Sequence, residues 1–206
     1  MRRSVQRAIW IATSFLVLIG VAIVARRSMQ LLAPSPAADL DKGFDRHPLL
    51  TFLHILPGLV FVLLSPWQFV RSLRARQPHL HRWMGRTVMI AALIIGVTAM
   101  IMSPQMAIGG MNETVATMVF GSFFLVALVK AYRAGRRRDF VQHREWAIRL
   151  FAIGMAVTTT RPIVGAFFAT SRITHLTPHD FFGIAFWLGF TFHLIAAESW
   201  IVYTRS

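Results

Sequence analysis

The stretch VQHREWAIRLFAIGMAVTTTRPIV, Val141 to Val164, opens on a histidine and an arginine, turns apolar, and still carries Arg161 inside the apolar run. Whether a guanidinium can sit there depends on the solvent around the helix, and composition identifies that solvent. The chain has 206 residues, of which 55% are hydrophobic and 15% charged. A soluble domain carries about 25% charged residues. The formal net charge of +14 could suggest a nucleic-acid partner, but the positive residues come in short bursts between apolar runs, which is a membrane pattern. No nucleic-acid partner is expected, and the partner implied is the lipid bilayer, with anionic headgroups at the basic loops. The absence of cysteine excludes disulfides and thiolate metal sites.

Working outward from this stretch gives six apolar spans, roughly 8–25, 48–70, 83–102, 114–129, 146–169 and 181–203. A spanning helix needs about 20 residues, so the fourth is short unless Lys130 and Tyr132 snorkel. The first span has a basic leader, MRRSVQR, but it is long for a signal core and Arg26 and Arg27 follow it, so a retained helix is expected. The expected fold is all-α: one polytopic transmembrane bundle over residues 1–206. Lys and Arg fill the leader and the loops RSLRARQPHLHR and KAYRAGRRRDFVQHR, while SPQMAIGGMNE has neither. That alternation predicts both termini in the cytoplasm. Thr177, Pro178 and Asp180 read as the start of the last helix.

Ionisable groups at membrane depth are costly and point to function. Arg161 lies 18 residues past His143, about 27 Å along an unbroken helix, so it is expected near the outer interface. Pro162 follows it and predicts a break or bend there. His54, on the second span beside Pro57, falls at a similar depth. Together they predict a small outer polar pocket, with Arg161 held by Asp39, Asp41, Asp45, Glu113 or Asp180, by freed carbonyls, or by an anionic ligand. The alternative is an arginine that snorkels to headgroups.

The other face carries HRWMGR (His81–Arg86) and HREWAIR (His143–Arg149), each opening a span after a basic loop, as if a helical hairpin were used twice. The repeat fails deeper, because the fourth span has no counterpart of His54. Trp and Arg serve as interfacial anchors; the histidines are harder to explain that way. Glu198, on the sixth span, is expected to pair with Arg82, Arg86 or Arg149 and to join His81 and His143 in one inner polar layer.

The segments HPLLTFLHILPGLVFVLLSPWQF, RARQPHLHRWMGR, HREWAIRLFAIGMAVTTTRP and AAESW resemble the predicted bacterial membrane proteins grouped as domain of unknown function 2306, over His47 to Trp200. The resemblance implies that His54, Gln68, His81, Arg82, Gly85, His143, Arg144, Trp146, Arg149, Arg161 and Glu198 are family positions. It implies no reaction, and His193 has no place in the pattern.

The candidate ligand-binding set is therefore His54, Arg161, His81, His143, Arg149 and Glu198, in a transporter-like or membrane-complex accessory protein that handles a ligand or a proton. The alternative is a haem b electron-transfer protein drawing on His54, His81, His143 or His193, with Arg161 for a propionate. A hydrolase lacks a credible nucleophile set, and no catalytic residue is assigned.

Overall fold

The computed structural model describes residues 2–33 and 42–205. The described residues are helical throughout, joined by short turns, with no strand. In chain order the helices are α1 (Arg2–Leu32), α2 (Lys42–Arg46), α3 (Pro48–Leu64), α4 (Arg71–Arg76), α5 (Pro78–Met106), α6 (Gly110–Arg136), α7 (Phe140–Thr174) and α8 (Pro178–Arg205); a 3-10 turn, Pro66–Phe69, links α3 to α4. Six of them are long and apolar enough to cross a membrane, the second counted from Pro48 through Phe69.

Local chemistry sets the boundaries. Pro48 and Pro78 begin α3 and α5 at the position where a missing N–H costs nothing. Asp139 caps α7 by accepting the Gln142 N–H at 3.0 Å. His175 closes α7 in the left-handed conformation, φ 57°. At the start of α8 the Asp180 carboxylate accepts both the N–H (2.8 Å) and the hydroxyl (2.6 Å) of Thr177.

Two expectations about helix length need correction. The fourth span is not short: α6 runs 27 residues. Nor does α7 break at Arg161–Pro162, since it stays helical through Pro162 to Thr174. Thr158 and Thr160 turn their hydroxyls back onto Met155 O and Val157 O, at 2.7 Å each. Neighbouring helices and hydroxyls of this kind are what make a proline tolerable within a membrane helix.

The helices run as successive hairpins. Helix α3 packs on α5, α5 on α6, α6 on α7 and α7 on α8, and α8 also reaches α6; α1 lies outermost, against α3 and α7. Between helices in lipid, close packing replaces the hydrophobic effect as the source of cohesion, and small residues permit it. Gly154 seats the Phe61 ring, Gly96 receives Leu125, Gly189 meets Thr160, and Gly20 of α1 meets Val62 and Thr158. Phe61 and Phe124 meet edge to face at 5.9 Å in the centre of the core. Outward-facing side chains such as Ile11, Phe15, Leu18, Ile90 and Ile195 are apolar and exposed, as a lipid-facing surface requires.

This topology gathers the arginine-rich segments at one end. The α3–α5 and α6–α7 connections and the C-terminus of α8 all lie there, and it is called the basic end below.

Candidate functional site: a cavity at the basic end

A cavity of about 790 Å³ opens at the basic end, between the 3-10 turn, α4 and α5 on one side and α6 and α7 on the other. Its inner wall is apolar, made by Phe61, Val88, Met89, Leu150 and Phe151, and its rim carries Arg74, Arg82, Arg86, Arg136 and Arg144. No Asp or Glu is among the residues that line it.

Both histidines of the repeated motif line this cavity, each followed by its arginine: His81–Arg82 from the start of α5, His143–Arg144 from the start of α7. His143 Nδ1 lies 2.8 Å from the Ala131 carbonyl. A carbonyl only accepts, so Nδ1 carries the proton, and in the neutral ring the lone pair is on Nε2. His81 Nδ1 is buried without a hydrogen-bond partner, as are Gln68 Nε2 and Ser65 Oγ, and all three residues line the cavity. Buried polar groups are normally satisfied, so three orphans on one cavity mark it as the place where polar partners are required. Two glycines make the room. A Cβ on Gly85 would press on Gln68 Oε1, and one on Gly135 on His143 Nδ1.

Glu198 and Arg149 are not part of this lining. Arg149 donates to Glu198 through Nε (2.6 Å) and a terminal nitrogen (2.8 Å), and its guanidinium also lies over the Trp146 ring. The pair joins α7 to α8, whereas His81 and His143 face the cavity between α5, α6 and α7. Of the inner layer expected from depth, the pairing of Glu198 with Arg149 is present, while His81 and His143 line the cavity and Glu198 does not. Beside the pair stands Glu145, which sequence reasoning passed over. It is buried and receives Arg205 through two contacts of 2.6 Å, and Arg149 lies 4.0 Å away. Ser65 and Arg136 were also missed; neither has any spacing signal.

At the opposite end, His54 Nδ1 lies 2.9 Å from Thr98 Oγ1. The Thr98 hydroxyl donates to Ile94 O at 2.6 Å, so the threonine oxygen accepts from the imidazole N–H. Arg161 lies within electrostatic reach of both His54 and Glu113. Glu113 is buried at the start of α6 and accepts the Gly109 N–H at 2.7 Å. Of the other carboxylates proposed for Arg161, Asp180 is engaged by Thr177, and Asp39 and Asp41 lie outside the described residues. His193 sits apart, midway along α8, with Nε2 2.7 Å from Thr159 Oγ1. The four histidines named as haem candidates thus occupy three places, and only His81 and His143 share one. Among the described residues no group of three or more His, Cys, Asp or Glu is arranged to hold a metal ion.

No curated protein and no solved structure matches the chain. A family model described as a predicted membrane protein, domain of unknown function 2306, matches residues 51–201. That match takes in α3 through α8, including every residue of the cavity and of the α7–α8 ion pairs except Arg205. The chain therefore belongs to the domain of unknown function 2306 family of predicted membrane proteins.

Proposed function

We propose that the protein binds an acidic amphiphile in the basic-end cavity and serves as a transporter-like or membrane-complex accessory protein of the bacterial inner membrane, with the basic end in the cytoplasm. The observation that carries this reading is the pairing of an apolar inner wall with a rim of five arginines and three buried polar atoms that lack hydrogen-bond partners, and no lining carboxylate. Such a site suits a molecule with an apolar body and an anionic head, and basic pockets between helices near the cytoplasmic surface bind acidic headgroups. The Lys/Arg distribution supports the orientation. The test is extraction of the protein in mild detergent followed by identification of retained amphiphiles by native mass spectrometry. An acidic species held by the wild type and lost from the Arg82→Gln/Arg144→Gln double variant is expected. Equal retention by both would reject the cavity as the binding site.

One observation favours a second reading, haem b held by His81 and His143. A metal-ligating histidine usually donates its other N–H to a carbonyl or carboxylate, as His143 does to Ala131 O. Haem is itself an acidic amphiphile, and rim arginines suit its propionates. A Soret band in the purified protein, lost in both His81→Ala and His143→Ala, supports this reading; a colourless protein that retains another acidic ligand rejects it.

A further inference from the structure

We infer that the ligand of the basic-end cavity is a lipid whose head ends in a phosphate monoester or diphosphate, held between the two His–Arg pairs. The inference rests on the acidic-amphiphile reading and adds the charge and the donor count of the head.

Charge is the first argument. Five arginines line the cavity, and no carboxylate does. Arg144 also donates to the Thr204 hydroxyl at 2.6 Å, but a hydroxyl does not neutralise it. A carboxylate or a phosphodiester brings one negative charge and leaves most of this cluster uncompensated. A terminal phosphate brings about −1.5 to −2 at neutral pH, and a diphosphate more.

Donors are the second argument. The Gln68 amide nitrogen is a donor without an acceptor, the Ser65 hydroxyl is unpartnered, and each guanidinium adds a planar fork. A terminal phosphate has three acceptor oxygens and fits bidentate arginine. The site is short of acceptors, and this head is richer in them than a carboxylate or a phosphodiester, which offer two terminal oxygens each.

Symmetry and access are the third. His81–Arg82 enters from the α3–α5 hairpin and His143–Arg144 from the α6–α7 hairpin, so the head is gripped from two sides. Phe61, Leu150 and Phe151 wall the inner part, where a chain can lie. Trp67 and Trp83, half exposed at 53% and 57%, stand on the segments that form the mouth, at the level where tryptophan anchors a protein to headgroups. A lipid entering there keeps its head at headgroup depth.

The experiment compares two probes that differ by one methyl group. Purified protein in neutral-lipid nanodiscs is titrated with dioleoyl phosphatidic acid and with dioleoyl phosphatidylmethanol, which has the same phosphate as a singly charged diester. Phosphatidic acid is expected to bind about tenfold or more tightly, the scale of one additional charge-assisted contact. Arg82→Gln and Arg144→Gln, made singly so that one is informative if the other does not fold, are expected to remove most of that preference. Equal affinity for the two probes, with binding still lost in the variants, would overturn the phosphate inference and leave the acidic-amphiphile reading standing. No binding of either probe, or of oleate, would overturn both. Binding of inorganic phosphate or pyrophosphate as tight as that of phosphatidic acid would assign the site to a free phosphate compound and overturn the lipid half.

Discussion

Glu145 and Glu198 separate two roles that look alike in the sequence. Glu198, in AESW on the last span, reads at once as a membrane-level carboxylate, whereas Glu145 reads as an ordinary acid in the first turn of a helix. In the fold the order of importance reverses. The Glu145 side chain is 4% exposed and the Glu198 side chain 45%. Glu145 holds Arg205 from 60 residues away, a partner no local spacing could reveal. Glu145→Gln is expected to cost about 1–3 kcal/mol, the range for hydrogen bonds to charged groups. Glu198→Gln is expected to cost about 1 kcal/mol or less, because the Glu198 side chain is half exposed and Arg149 keeps Glu145 within 4.0 Å. Thermal unfolding in one detergent measures both, and a larger loss for Glu198→Gln would contradict this ranking. Thr98 offers a second comparison. Thr98→Val leaves the His54 N–H without its acceptor and is expected to cost about 1–3 kcal/mol, while Thr98→Ser keeps the oxygen and stays within about 1 kcal/mol of wild type. Equal losses would mean that the His54–Thr98 bond contributes nothing.

At the scale of the element, the spans were legible because twenty-odd apolar residues between basic bursts have few other solutions in a membrane protein. Their ends were not. Apolar counting stops where polar residues crowd together, so it missed the amphipathic turns by which α6 and α7 run on to Arg136 and from Phe140 to Thr174. Pro162 was read as a break or bend because proline disfavours a helical residue before it; in the bundle α7 stays helical through it, and the threonine hydroxyls bond within the helix. Glycines show the same dependence on neighbours. Gly154 and Gly165 stand in the same helix, yet a Cβ at Gly154 would collide with the Phe61 ring, and one at Gly165 meets nothing within 4 Å. Gly154→Ala is expected to cost about 1–3 kcal/mol through overpacking at a rigid ring. Gly165→Ala is expected to be neutral or slightly stabilising, by up to about 1 kcal/mol, through helix propensity. A melting curve that ranks them the other way would show that the α3–α7 contact is looser than described.

For the whole molecule, the repeated His–Arg motif was visible in the sequence, but its meaning depended on how the hairpins pack. Equal depth put His81, His143 and Glu198 in one layer, because depth fixes height along the bundle normal and leaves direction around each helix open. Helix contacts settle that direction, sending the histidines to the cavity and Glu198 to Arg149 on α7. Gln68 and Ser65 complete the cavity from a 3-10 turn and the residue before it, segments without the periodicity that marks a helix face. What the sequence does carry at this scale is an uneven distribution of positive charge between the two ends of the bundle. The α3–α5 connection holds Arg71, Arg74 and Arg76, the α6–α7 connection holds Arg137 and Arg138 just after Arg133 and Arg136 in the last turn of α6, and both lie at the basic end, while the α5–α6 connection between Met106 and Gly110 has no Lys or Arg. Short loops of this kind set insertion by their positive residues, which stay on the cytoplasmic side. On the proposed orientation the ligand site would draw its occupant from the inner leaflet. The natural chain has no cysteine, so single cysteines report without background. Phe140 is 70% exposed beside the basic-end turn and Ile173 is 82% exposed at the far end of the same helix. In intact cells a membrane-impermeant maleimide is expected to label Ile173→Cys, and to label Phe140→Cys only after the inner membrane is opened. Labelling of Phe140→Cys from outside, with Ile173→Cys protected, would invert the bundle and move the cavity to the opposite leaflet.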